Sequence, residues 1–211
     1  MAITDVDDSI ETTIAEHTPT LAIEGERAAL GPLSRDLLPV YHQWNNTLDV
    51  IRGQAREELL TLEHIEEWYD EVTDRASDDA FFTIYETDGM RPVGRTALKK
   101  IDHRHGTATF SIYVADGRGR GVGTEATRLT LDWAFNHLGL VNVMLEVDGW
   151  NERAVRAYEK AGFQRIGPRR QATFNMGERH DELLMDITAD DFRDLPWEGP
   201  IGDSDALVTS S

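Results

Sequence analysis

The sequence predicts a single mixed α/β (α+β) domain, and three observations carry that expectation. At 211 residues the chain has room for one core but not comfortably for two. Between Phe81 and Val114 three strand-like runs follow one another through tight turns, the pattern of an antiparallel meander. Beyond Val114 helices and strands alternate, so the order is not that of a doubly wound fold, which would alternate throughout. Hydrophobic residues make up 40%, with 5 Trp and 7 Phe, enough to bury a core and to exclude wholesale disorder or a collagen-like chain.

Each element follows from local chemistry. Residues 1–18 are acidic and threonine-rich and read as a weakly ordered tail. A domain then spans 19–193, and 194–211, with Pro196, Gly199, Pro200 and Gly202, reads as a second loose tail. Within the domain, Leu21 to Leu33 reads as a strand pair turning at Gly25. Ser34 could cap a helix through Trp44, on which Leu37, Leu38, Val40, Tyr41 and Trp44 keep helical spacing. Thr61 is the cap of a second helix that puts Ile65, Trp68, Tyr69 and Val72 on one face and ends near Arg75. The meander turns at Asp88-Gly89 and at residues 103–106. A helix from about Gly123 stops at Gly139, a strand covers 141–147, and Asn151 and Gly162 bracket a short helix. Strand-like runs at Phe163 to Ile166 and Leu183 to Thr188 complete the domain.

Charge and composition narrow the function. Lysine and arginine number 21 against 39 acidic residues, a net charge of −18, which repels phosphate backbones and anionic lipid. No nucleic-acid or membrane partner is expected. The start MAITDVDDSIETTIAEHTP has neither the basic residues nor the apolar run of a signal peptide, and no stretch is long enough to span a bilayer. The expectation is a cytoplasmic protein. Cysteine is absent, which removes disulfides, thiolate metal sites and any acyl-cysteine intermediate.

Against that acidic background stands a basic, glycine-rich loop, Arg118-Gly119-Arg120-Gly121-Val122-Gly123-Thr124, between a strand and a helix. Glycines let an anion approach backbone N–H groups at a helix start. A Walker loop would need a lysine, and none lies between Lys100 and Lys160. A Rossmann fingerprint would want glycine where Thr124 stands, although Glu146 imitates its ribose-binding acid. A flexible turn with no ligand is the remaining reading from these residues alone.

Arg118, Gly121 and Gly123 in Arg-x-x-Gly-x-Gly spacing, leading into an amphipathic helix, resemble the acetyl-coenzyme A loop of the GNAT superfamily of N-acetyltransferases. A second block, Asn151, Ala154, Tyr158, Gly162 and Phe163 in Asn-x-x-Ala-x-x-x-Tyr-x-x-x-Gly-Phe spacing, is similar to a helix of the same family. The segments 25–33, 40–46 and 177–187 and the helix carrying Trp68 further resemble its ribosomal-protein-alanine acetyltransferase (RimJ/RimL-like) branch. The resemblance implies a mostly antiparallel mixed sheet, flanked by helices and splayed beside the strand that ends at Val114. It also implies acetyl-coenzyme A as co-substrate, held by Ile112, Tyr113, Val114, residues Arg118, Gly119, Arg120, Gly121, Val122, Gly123 and Thr124, and by Asn151, Ala154 and Tyr158.

Acetyl transfer to an amine needs a neutral amine, a stabilised oxyanion and a proton for the departing thiolate. With no cysteine, direct attack in a ternary complex is the expected route. By the resemblance Tyr158 supplies the proton and backbone N–H groups at Ile112 to Val114 face the oxyanion; the alternative for Tyr158 is core packing. Where related enzymes often carry a glutamate base, this chain has Thr109. Thr109, Ser111 and Tyr113 share one strand face and could order water towards Glu146. His103 and His105 lie in a turn, and no metal is expected. The resemblance puts Trp44 and Trp68 by the acceptor pocket, with core packing as the alternative. Acceptors in view are a polyamine, an aminoglycoside-like antibiotic, an amino acid conjugate or a protein N-terminus. A non-catalytic acyl-coenzyme A sensor stays open, as does a homodimer. The carboxylates Glu57, Glu58, Glu63, Glu66, Glu67, Asp70 and Glu71 would leave the acceptor mouth negative and favour a cationic acceptor.

Overall fold

A computed structural model describes residues 3–53, 58–74, 77–116, 119–175, 177–197 and 199–200. One sheet of eight strands runs through the molecule: β1 Ile23–Glu24, β2 Ala28–Pro32, β3 Ala80–Glu86, β4 Arg91–Asp102, β5 Thr107–Val114, β6 Asn142–Asp148, β7 Gln164–Asn175 and β8 Glu178–Thr188, in the order β1-β2-β3-β4-β5-β6-β8-β7. Neighbours are antiparallel except β5 and β6, which pair in parallel from Thr107 against Asn142 to Thr109 against Met144. Beyond that point β5 stays with β4 as far as Val114 opposite Gly94. β6 stays with β8 as far as Asp148 opposite Glu182. The sheet therefore opens into a wedge between the ends of β5 and β6.

Helices cover both faces. One face carries α5 Val122–Asp132, a π-helical turn Trp133–His137, α6 Glu152–Ala161 and α7 Ala189–Arg193. Phe110, Leu131, Val143, Leu145, Val155, Phe163 and Met185 pack there into one buried cluster, with Val122, Ala126 and Leu129 in a second against β2 and β3. The other face carries α1 Ile3–Glu16, α2 Leu38–Asn45, α3 Leu48–Gly53 and α4 Leu62–Thr73, over Ile10, Tyr41, Trp44, Ile65 and Tyr85.

Local signals placed several ends correctly. The Thr61 hydroxyl accepts from the His64 N–H and His64 Nδ1 accepts in return from the Thr61 N–H, closing a capping box. The Asn151 side chain accepts from the Ala154 N–H at 3.2 Å, and Gly162 closes α6 with a φ of 110°. Other expectations change. Part of the stretch read as a loose N-terminal tail is helix α1, whose Ile10 is buried among residues of α2 and β3, a tertiary contact that acidic composition does not disclose. Ser34 makes no side-chain cap; a 3₁₀ turn, Arg35–Leu37, precedes α2 instead. The two short runs expected after α6 are halves of a long hairpin, because Gly167-Pro168 is accommodated at a register shift in β7, the edge strand. Leu195 and Trp197, inside the expected C-terminal tail, pack against the core.

A latch joins the start of α5 to the first hairpin. The Glu125 carboxylate accepts from the backbone N–H groups of Glu26, Arg27 and Ala28 at 3.0, 2.6 and 2.8 Å. Truncation as Glu125→Ala removes three charge-assisted hydrogen bonds, two exposed and one to the buried Ala28, and should lower stability by about 2 kcal/mol. Chemical denaturation checks this, the expected result being a lower midpoint with an unchanged slope.

Candidate functional site

The wedge between β5 and β6 is the centre of the site. Successive residues of a strand face opposite sides, so Ala108, Phe110 and Ile112 lie towards α5 and α6 while Thr109, Ser111 and Tyr113 lie towards α2 and α4. On β6, Val143, Leu145 and Val147 are buried on the first side, which leaves Glu146, exposed, on the second. Alternate N–H groups of β5 turn towards the wedge, the stretch expected to face an oxyanion.

At the mouth of the wedge stands the amino end of α5. Gly121 is its N-cap with a φ of 88°, and Gly119 has the same φ. This left-handed conformation favours glycine and turns the chain sharply into the helix. The helical ladder begins with the Glu125 N–H donating to the Gly121 carbonyl at 3.1 Å, so the N–H groups of Val122, Gly123 and Thr124 precede it and present the positive end of the helix dipole. Gly123 keeps α5 close to β5: a Cβ there would stand 3.3 Å from Val114 Cγ2. Such an end suits a diphosphate.

The loop cations are arranged differently from expectation. Arg118 lies outside the described residues, and Arg120 is paired with Glu86 of β3 at 2.8 Å, so its charge is already balanced. Arg27, a residue not singled out from sequence, brings its Nη1 to 3.0 Å from where a Cβ on Gly121 would sit. The Glu125 latch holds the hairpin that carries it.

Tyr158 projects from α6 against Phe110 and Phe163, with ring centroids 6.2 and 5.9 Å away. Burial pushes its phenol up to about 12, because the phenolate would lose its water. The hydroxyl therefore stays protonated at neutral pH. Glu146 and Tyr158 stand on opposite sides of the sheet at the same wedge. Ala154 packs one turn before Tyr158 on the α6 core face.

The second face, the side of Glu146, is aromatic. Trp44 is 7% exposed and stacks near Tyr41 and Tyr113 at 5.8 and 6.2 Å; it belongs to the buried layer behind the expected pocket instead of lining it. Trp68 is half-buried, with Tyr41 and Phe81 at 6.4 and 5.6 Å. Over it lies Arg95 of β4, its guanidinium carbon 4.0 Å from the Trp68 ring centroid. The sequence reading missed Arg95, although an arginine in the middle of the run PVGRTALKKI, a strand bounded by apolar residues, was a usable signal. The carboxylates Glu63, Glu66, Glu67 and Glu71 stand on the exposed side of α4, and Asp70 pairs with Arg35. Glu58 is exposed and Glu57 lies outside the described residues.

Among the described residues no group of three or more His, Asp or Glu is placed to hold a metal ion. His105 instead pairs with Asp102 across the turn at 2.8 Å. Among them, too, no helix is long and apolar enough to cross a membrane.

Comparison with known proteins agrees with the fold. Residues 27–164 match the family model described as acetyltransferase (GNAT) domain. The spermidine N(1)-acetyltransferase of Escherichia coli (strain K12) is 31% identical over 159 residues, 75% of this chain and 84% of that one. The N-acetyltransferase 9-like protein of Caenorhabditis briggsae is 27% identical over 157 residues, 68% and 78% of the two chains. Among solved structures, the spermidine N-acetyltransferase of Vibrio cholerae in complex with CoA and spermine superposes with a TM-score of 0.72 at 24% identity, over 80% of this chain and 99% of that one.

Proposed function

The chain belongs to the GNAT acetyltransferase family, and on that premise we propose that it transfers the acetyl group of acetyl-coenzyme A to the primary amine of a small charged acceptor, in a single ternary complex. The observation that carries this reading is the wedge itself, flanked by a helix start that can take a diphosphate and by a buried, protonated Tyr158. Acetyl-coenzyme A supplies the activated thioester. The N–H groups of Val122, Gly123 and Thr124, with Arg27, hold its diphosphate. Backbone N–H groups along Ile112, Tyr113 and Val114 take up negative charge developing on the acyl oxygen. Tyr158 gives its proton to the departing sulfur, and Glu146 draws a proton from the amine through water ordered by Thr109 and Ser111. The aromatic face with Trp68 receives the acceptor.

A polyamine-like acceptor is supported by the relatives named for spermidine. The resemblance of residues 25–33, 40–46 and 177–187 to the ribosomal-protein-alanine branch supports a second reading, acetylation of a protein N-terminus. Thiol release measured against polyamines, amino acids, aminoglycosides and an alanine-terminated peptide, with mass spectrometry of the product, separates the two. Thiol release with no amine in the panel would sink the transferase reading.

The net charge of −18 adds a kinetic expectation. If the field steers a cationic acceptor, kcat/KM falls severalfold as sodium chloride shortens the screening length below about 8 Å, while kcat at saturation barely changes. A flat or rising kcat/KM, with acetyl-coenzyme A saturating, returns the α4 carboxylates to the role of a solvated helix face.

A further inference from the structure

We propose that Arg95 binds a carboxylate of the acceptor, so that the acceptor is an amine that also carries a carboxylate some bonds away. This rests on the acetyltransferase reading and narrows its substrate class.

The argument begins with an aromatic cage already filled by a cation. Trp68, Tyr41 and Tyr113 surround the Arg95 guanidinium, its carbon 4.0, 5.1 and 5.1 Å from the three ring centroids. Three π faces converging on one point would ordinarily suit an ammonium group of a polyamine. Here the protein's own charge occupies that point, and a second cation placed there would be repelled.

The guanidinium is also incompletely used. Arg95 is 8% exposed; its Nε–H donates to the Tyr113 hydroxyl at 2.7 Å, whereas its Nη1 is buried with no hydrogen-bond partner among the described residues. A buried charged donor left unmade costs about 1–3 kcal/mol or more. Among the described residues no carboxylate is paired with Arg95. In a chain of net charge −18 that omission is informative. Lys99 lies further along the same face of β4, and its amine is held below the usual lysine range by burial and then by the Arg95 charge. The acid facing Lys99 is Asp79, whose Oδ1 is engaged by the Lys100 N–H at 2.7 Å. The floor of the acceptor face is therefore cationic, and what it lacks is an anion with paired oxygens, the geometry a guanidinium fork accepts.

Position fixes the rest. Arg95 is the register partner of Tyr113 on β5, the strand that borders the wedge. At roughly 5 Å per strand, a carboxylate on Arg95 and an amine entering the wedge lie about 5–10 Å apart. A basic amino acid reacting through its side-chain amine spans this range.

Ornithine and putrescine make the discriminating pair, since they differ only by the carboxylate. Their binding to the coenzyme A-loaded protein is followed by calorimetry and by tryptophan fluorescence, and kcat/KM is measured for both. The expected result is tighter binding of ornithine by at least about tenfold, the scale of one charge-assisted contact. Arg95→Met should abolish the preference by weakening ornithine alone, and Arg95→Lys should restore part of it. Equal or tighter binding of putrescine, no binding of ornithine, or a preference that survives Arg95→Met overturns the proposal. The wild-type comparison decides even if the variants fail to fold. Failure of the transferase reading looks different: no coenzyme A binding, and no thiol release with any amine.

Discussion

Tyr158→Phe should lower kcat about 100-fold while changing the affinity for acetyl-coenzyme A little, the usual scale for loss of a general acid. The substitution removes one hydroxyl and keeps the ring, so the contacts with Phe110 and Phe163 survive and the fold should be unaffected. The pH behaviour sharpens the test. Because burial raises the phenol to about 12, the proton is present at every pH below that value, and the wild-type kcat should show no Tyr158-dependent fall between neutrality and about pH 10. The variant should lose its activity uniformly across that range. Pre-steady-state thiol release isolates the chemical step; wild-type turnover in the variant, with chemistry rate-limiting, would leave Tyr158 as packing only.

Gly121→Val should weaken coenzyme A binding by at least about 100-fold, roughly 2.7 kcal/mol. The cause is the backbone. Gly121 has a φ of 88°, a region a β-branched residue enters only under strain, so the chain must leave the left-handed conformation at the N-cap of α5. The N–H groups of Val122 to Thr124 then no longer converge. Contact alone would be a weaker argument, since the nearest atom to a new Cβ is the flexible end of Arg27 at 3.0 Å. Val122, the next residue, is anchored in the core with Ala126 and Leu129, so the helix should stay docked and circular dichroism should remain native. A folded variant that binds coenzyme A with wild-type affinity in calorimetry would refute the loop assignment.

What could be read from the sequence was what short-range chemistry decides. Asn151 and Gly162 act within a turn of their own position, and the expected helix ends there agree with the structure, whereas α5, expected from about Gly123, starts at Val122 behind Gly121. The wedge was legible only through the family resemblance, since a parallel seam between β5 and β6 brings together residues 35 positions apart in register. β7 was foreshortened because Gly167 and Pro168 break most strands, and only its place at the sheet edge makes them tolerable. Arg95 escaped notice for a related reason. Its meaning depends on Tyr41, Trp68 and Tyr113, contributed by three separate elements, and no local pattern announces that they meet.

The narrow parallel seam has one further consequence. It divides the sheet into a plate of five strands, β1 to β5, and a plate of three, joined along Thr107 to Thr109 against Asn142 to Met144. One side-chain cluster under α5 and α6 spans both plates, but the backbone suture between them is short. On the proposed function, a ligand seated in the wedge would touch both plates as a crosslink, and its binding energy would enter the work of pulling them apart. By mass action, ligand at 100 times its Kd adds about 2.7 kcal/mol to the folded state. The durability of this protein in a cell would then be tied to the local supply of its own co-substrate.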